Sequence, residues 1–292
     1  MEQGIIYALI AGLCWGTSPV LVKRGLVHSD VSAATLYQQA TILATLLAAA
    51  LLEGDLFAGK IAPLAIVIFS GTGIVGAYLG RTLFVKSVAE IGASRAQSLN
   101  NSSPLFTVLL AALLLGERLT VSVLVGVTFI LSGVLFVVQT ETDASGIASR
   151  RTLTPTSILA TLCYGVVPVL KKFGTDNGGP PVLGALVMHA TGLVLLLTLG
   201  SLLKIELKWE KTATKSVLCF VTAGVLYAIG SVLTLKALTR APASVVAPIW
   251  SAQPIVSFFL AKATLKGIEE VTLKDGVAAA LVVVGVLVLR WG

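Results

Sequence analysis

The sequence predicts an all-α integral membrane protein with ten transmembrane helices, which form two inverted five-helix repeats. Composition, recurring apolar runs and an internal repeat are the three observations that predict this fold class. Of the 292 residues, 56% are hydrophobic and 12% are charged, whereas an ordinary soluble domain has roughly 45–50% and about 25%. Apolar runs of about 20 residues, the length of a helix that crosses the hydrocarbon core, recur along the whole chain. This pattern excludes a soluble fold, and a β-barrel would instead show short alternating strands.

Apolar runs bounded by charged residues, glycine or proline define the ten predicted spans. Their predicted bounds are 4–22, 33–52, 63–86, 93–115, 120–138, 156–173, 181–203, 216–236, 241–263 and 271–290. The longest polar stretch near the middle of the chain, Gln139 to Pro155, separates five spans from the other five. We therefore predict a first repeat over residues 1–140, a connecting loop over 141–155 and a second repeat over 156–292.

The first helix of each half contains a copy of one segment. Leu13 to Gly25 aligns with Leu162 to Gly174 at an offset of 149, and eight of the thirteen positions are identical. A weaker match aligns Gly80 to Pro104 with Gly230 to Pro254 at an offset of 150, with six of twenty-five positions identical. Because five crossings is an odd number, a helix and its copy must enter the membrane from opposite faces. The repeat is therefore predicted to be inverted, an arrangement that usually places a substrate site near the midplane.

These segments resemble the drug/metabolite transporter superfamily, in its ten-helix form with two EamA-type repeats. The resemblance covers nearly the whole chain and is strongest at three segments. They are Trp15-Gly16, the run from Leu83 through Gly92-Ala93-Ser94-Arg95 to Phe106, and Leu115-Gly116-Glu117-Arg118-Leu119. The second half departs from the family pattern, because Lys266-Gly267-Ile268-Glu269 stands where a Gly-Glu pair is expected. The resemblance implies a membrane transporter without naming its substrate.

The placement of charge is informative, because a charged side chain at the bilayer centre costs roughly 2.5–3.5 kcal/mol on insertion scales. All fourteen Asp and Glu residues lie at a terminus, in a loop or near a predicted helix end. A proton-coupled exporter of cationic drugs is therefore disfavoured. Three basic residues, Arg81, Lys86 and Lys236, reach into the spans, and the two lysines occupy equivalent repeat positions. Either they bind an anionic or carboxylate-bearing solute, or they extend to the membrane interface.

Polar and aromatic residues within the spans complete the set of candidate site residues. Taken singly, each is also explained by helix-to-helix hydrogen bonding or by packing, whereas together they would line an otherwise apolar cavity. The predicted substrate-binding residues are Trp15, Tyr78, Arg81, Lys86, Asn100, Asn101, Tyr164, His189, Tyr227, Lys236, Trp250 and Gln253. Prolines at repeat-equivalent positions within the spans are predicted hinges, because proline permits a helix to bend. They are Pro19, Pro104, Pro168 and Pro254.

The predicted function is that of a carrier or exchanger that moves a small metabolite, such as an amino acid or another carboxylate, by alternating access. A lipid flippase of the same fold is the alternative. An enzyme is disfavoured, because the chain has only two histidines and no acidic partner for them in the spans. No cofactor, metal or nucleic acid is expected, since the cysteine spacing fits no zinc site and the basic residues form no tract. The expected partners are a small-molecule substrate and membrane lipid, with the chain a monomer or homodimer.

Two indications of orientation disagree, although ten crossings place both termini on one side. The basic residues nearer to the face of the N-terminus number seven, namely Lys60, Arg118, Lys171, Lys172, Lys236, Arg240 and Arg290. The other fourteen lie nearer to the opposite face, so the positive-inside rule would place the termini outside the cell. Members of the family that the chain resembles keep both termini in the cytoplasm. We expect that arrangement, in the plasma (inner) membrane.

Overall fold

The computed structural model describes most of the chain as helix. The described residues are 1–25, 29, 31–53, 61–84, 87, 100, 102–144, 154–202, 213–250, 252–253, 255–256, 259–260, 277, 280–281, 284–285 and 287–288. The helices are α1 Glu2–Gly25, α2 Val31–Leu52, α3 Pro63–Thr72, a π-helix Gly73–Gly80 that continues α3, α4 Ser103–Leu115, α5 Val121–Ala144, α6 Pro155–Asp176, α7 Pro181–Leu202, α8 Thr214–Leu238 and α9 Ala243–Trp250. No strand occurs within these ranges.

Five segments are long and apolar enough to cross a membrane. They are Glu2–Val22, Pro63–Phe84, Pro155–Asp176, Pro181–Thr198 and Thr214–Leu238. With 18 to 25 residues each, they are about 27–38 Å long, which matches the hydrocarbon core. Shorter apolar helices are Tyr37–Leu52, Ser103–Leu115 and Val121–Gly133. The all-α membrane class is therefore supported, whereas ten helices are not confirmed, because most of the predicted tenth span, 271–290, lies outside the described residues.

Local sequence explains where several helices begin and end. Pro155 stands at the start of α6, where Thr154 and Ser157 form a reciprocal capping box. Gly116 ends α4 with a φ of 66°, a left-handed conformation that glycine adopts without a steric penalty. The helix α5 continues to Ala144, six residues beyond the predicted end of its apolar span, because helical hydrogen bonds do not require apolar side chains.

The packing of the two halves recurs at the offset of the sequence repeat. A Cβ atom on Gly16 would lie 2.6 Å from the carbonyl oxygen of Gln253. The repeat-equivalent Gly165 would place a Cβ atom 3.0 Å from the carbonyl oxygen of Ser103. Because 253 and 103 also differ by 150, the first helix of each half approaches an equivalent segment of the other half. Both glycines are needed for this close approach of backbones.

A second pair of contacts follows the same rule. A Cβ atom on Gly73 would lie 3.0 Å from Thr191 Cβ, and one on Gly224 would lie 2.8 Å from Thr41 Cβ. Gly73 and Gly224 are 151 positions apart, and their partners Thr41 and Thr191 are 150 positions apart. The third helix of each half therefore packs against the second helix of the other half, and the sequence repeat is also a repeat of contacts between the halves.

Candidate functional site

Aromatic residues from both halves meet around Trp15 of α1. The indole Nε1 donates a hydrogen bond to the carbonyl oxygen of Tyr227 in α8, at 3.2 Å. The Trp15 ring centroid lies 5.7 Å from that of Tyr227 and 5.5 Å from that of Trp250 in α9, distances typical of aromatic pairs. Gly230 leaves room for the indole, because a Cβ atom there would lie 2.6 Å from Trp15 Nε1. Three predicted site residues are thus brought together.

His189 of α7 joins this group through the other side of Tyr227. The two ring centroids are 5.7 Å apart and nearly perpendicular. His189 Nε2 lies 3.0 Å from Ser231 Oγ, and the imidazole is buried. Its repeat equivalent, Gln39, donates from Nε2 to the carbonyl oxygen of His189 over 3.4 Å. The two positions that the repeat aligns therefore contact each other directly.

Lys171 of α6 lies in the same group, although it was not among the predicted site residues. Its side chain is buried, with 5% exposure, and Nζ lies 5.3 Å from the Trp15 ring centroid and 5.6 Å from that of Trp250. The sequence did contain a signal. Adjacent residues on a helix point about 100° apart, so Lys171 and Lys172 cannot share one environment, and Lys172 forms an ion pair with Asp176 at 2.8 Å.

Arg81 and Tyr164 lie at the edge of the group. Arg81 follows the π-helix and is exposed, and a Cβ atom on its neighbour Gly80 would lie 3.6 Å from Tyr164 Cζ. Tyr164 packs edge-on against Phe84, with ring centroids 6.4 Å apart. We define the central cluster as Trp15, Lys171, His189, Tyr227 and Trp250, with Arg81 and Tyr164 as its neighbours.

The other predicted site residues lie elsewhere or are not described. Lys236 forms an ion pair with Glu53 at 2.9 Å near the end of α8. Tyr78 lies in the π-helix, the side-chain oxygen of Asn100 is buried, and the backbone of Gln253 faces Gly16. Lys86 and Asn101 lie outside the described residues.

The predicted hinges differ in their positions. Pro168 is buried inside α6, and Pro19 lies within α1. Pro104 instead stands in the first turn of α4, where proline removes no helical hydrogen bond. Pro254 lies outside the described residues. Of the four predicted hinges, Pro19 and Pro168 are therefore the two that lie beyond the first turn of a described helix, and they are the pair in the first helices of the two halves.

Apolar helices of membrane-spanning length pack as two repeats around a buried polar and aromatic centre, an arrangement found in secondary transporters. The sequence profile of the EamA-like transporter family matches residues 2–139 and 155–291. The chain therefore belongs to the EamA-like transporter family, which confirms the resemblance to the drug/metabolite transporters.

A protein known from its crystal structure has a similar fold. The TM-score is 0.80 over 99% of this chain and 96% of that chain, and the two sequences are 19% identical. At this identity, the likeness shows the fold alone. No curated protein matches the chain.

Proposed function

We propose that the protein is a secondary carrier or exchanger that moves a small metabolite across the membrane by alternating access. The observation that carries this proposal is the central cluster, which joins α1 of the first repeat to α6, α7, α8 and α9 of the second. A site built from both repeats is rearranged whenever the repeats move relative to each other. Amino acids and other carboxylate-bearing solutes are the candidate substrates.

The depth of the central cluster supports a midplane site. Trp15 and Tyr227 each lie about 20 Å along helices that are about 36 Å long. Lys171, His189 and Trp250 are buried, with exposures of 5%, 8% and 8%. A solute can reach such a closed centre only if the repeats separate, and an inverted pair of repeats can separate towards either face.

Polar contacts hold the two repeats together at one membrane face. The Glu117 carboxylate, after α4, accepts hydrogen bonds from the backbone N–H groups of Ala243 and Ser244, at 2.7 Å and 3.0 Å. Ser244 Oγ donates a third, at 2.6 Å. The ion pair of Lys236 with Glu53 also joins the two repeats. In an inverted arrangement, all of these contacts lie at the face of the N-terminus, so the proposed cycle must break them when that face opens.

A metabolite panel tests the proposal in two stages. We expect at least one small metabolite to raise the midpoint of thermal unfolding of the detergent-solubilised protein, because binding to the folded state stabilises it. The same metabolite should enter proteoliposomes that contain the protein, and should do so without an imposed pH gradient, since no carboxylate is predicted at the centre of a span. Transport of labelled lipids in place of every metabolite would identify a flippase. A strict need for a pH gradient would contradict the expectation that transport is not coupled to protons.

A further inference from the structure

Lys171 is a buried ammonium group that lies against two indole rings. An ammonium has three N–H donors, and the faces of two indole rings attract its charge without accepting directed hydrogen bonds of ordinary strength. Among the residues that the structure describes, none gives Lys171 Nζ a hydrogen-bond acceptor or a carboxylate. Because buried donors without a partner are costly, an acceptor from outside the described part of the chain would stabilise this ammonium.

Three of the described carboxylates, near the ends of helices, already have partners. Glu53 pairs with Lys236, Asp176 pairs with Lys172, and Glu117 is held by the first residues of α9. The described residues that contact the central cluster therefore include no carboxylate free to neutralise Lys171.

We propose that Lys171 binds the anionic group of the transported solute, which is a small organic anion with one carboxylate and an apolar body. This inference rests on the proposed function and adds the substrate class and the residue that selects it. The carboxylate accepts hydrogen bonds from the ammonium on the side away from the indole rings, and the apolar body packs against the rings of Trp15, Tyr227 and Trp250. A neutral solute of the same shape leaves the ammonium without an acceptor and binds weakly.

The chain offers a matched control for Lys171 in the next residue. Lys172 has the same side chain on the same helix, but it forms an ion pair with Asp176 and is more exposed. The Lys171→Met and Lys172→Met substitutions each remove one positive charge and keep a long side chain. Any difference between them therefore reports the environment of the residue and not the change in net charge.

The experiment uses small carboxylates from acetate to benzoate, each compared with its uncharged amide, as ligands of the full chain in detergent. We expect at least one carboxylate to stabilise the wild-type protein and Lys172→Met, and its amide to bind at least about ten-fold more weakly. Lys171→Met should lower the apparent affinity for that carboxylate at least about ten-fold. Lys171→Arg, which keeps the positive charge, should retain more of the affinity.

The unliganded proteins give a second measurement. Lys171→Met should unfold at a temperature no lower than wild type, because an apolar side chain replaces a charge that has no described partner. Unfolding of Lys171→Met at a clearly lower temperature, or equal binding of carboxylates by Lys171→Met and wild type, would contradict the inference. Transport of a neutral or cationic solute in place of any carboxylate would contradict it and leave the carrier function standing. Absence of binding and transport for solutes of every charge would instead contradict the proposed function.

Discussion

The lysines of the spans differ in their contacts, and these contacts indicate their roles better than their positions in the sequence do. Lys172 and Lys236 extend to carboxylates at helix ends, whereas Lys171 extends to the two indole rings of the central cluster. A repeat-equivalent lysine was predicted to bind substrate, and the structure gives Lys236 a partner of its own. The presence or absence of an ion pair therefore distinguishes lysines that the sequence alone does not.

The Lys236→Met substitution should leave transport close to normal. The ion pair with Glu53 is partly exposed, with side-chain exposures of 31% and 45%, and such pairs contribute about 0–1 kcal/mol to the free energy of unfolding. Substrate affinity should stay within about two-fold of wild type. Uptake into proteoliposomes measures the effect, and Glu53→Gln should behave in the same way. A strong loss of uptake in Lys236→Met alone would restore Lys236 to the substrate site.

Sequence reasoning found most of the central cluster but not its charge. Trp15, His189, Tyr227 and Trp250 were predicted because polar and aromatic side chains within the spans would line an otherwise apolar cavity, and the structure brings them together. Lys171 lies five residues before the end of α6, so the sequence allowed it to reach the interface. The side chain of Lys171 points inwards because of how α6 packs against other helices, and this packing cannot be read from the local sequence.

Among the helices, the π-helical continuation of α3 is the element that the sequence did not predict. The residues from Gly73 to Gly80 read as an ordinary apolar helix, because π-helical winding has no distinct side-chain period in eight residues. The glycines of this segment are explained by neighbours in the other repeat. A Cβ atom on Gly73 would lie 2.5 Å from the carbonyl oxygen of Met188.

Two glycines of the same helix should respond oppositely to alanine. Gly73→Ala should destabilise the protein by about 1–3 kcal/mol, the usual cost of overpacking, because the Met188 carbonyl oxygen cannot move freely. Gly71→Ala is the control, since a Cβ atom there would meet nothing within 4 Å, and the better helix propensity of alanine should make the change neutral or stabilising. Thermal unfolding in detergent compares the two variants. Equal destabilisation by both would show that the close contact does not limit stability.

For the whole molecule, the membrane class and the two repeats were predicted correctly, whereas ten helices and cytoplasmic termini stay predictions. Apolar runs predict helices because every backbone polar group in lipid must be satisfied within its own segment. The family profile covers both halves of the chain. Absolute orientation depends on a charge bias that, by our count, opposes the family pattern, so it remains a prediction.

A fluorescent reporter that matures only in the cytoplasm, fused after Gly292, tests the orientation. We expect fluorescence, because both termini are predicted to be cytoplasmic. A dark fusion that is fully inserted in the membrane would show that the positive-inside count was correct. Insertion is checked separately by the yield of membrane-embedded protein, so that a failure to fold is not mistaken for an external terminus.

The hydrogen bonds of Glu117 have a mechanical consequence for the proposed cycle. They hold the first residues of α9, and further along this helix the Trp250 ring centroid lies 5.6 Å from Lys171 Nζ. The segment from Ala243 to Trp250 is about 12 Å long, with the Glu117 hydrogen bonds at one end and, in the proposed function, one side of the solute site at the other. In the proposed cycle, a tilt of α9 that makes space beside Trp250 would also pull the backbone N–H groups of Ala243 and Ser244 away from the Glu117 carboxylate. Solute binding and opening of the face at the N-terminus would then occur in a single movement of α9. The strength of the Glu117 hydrogen bonds would set how often the carrier opens without solute.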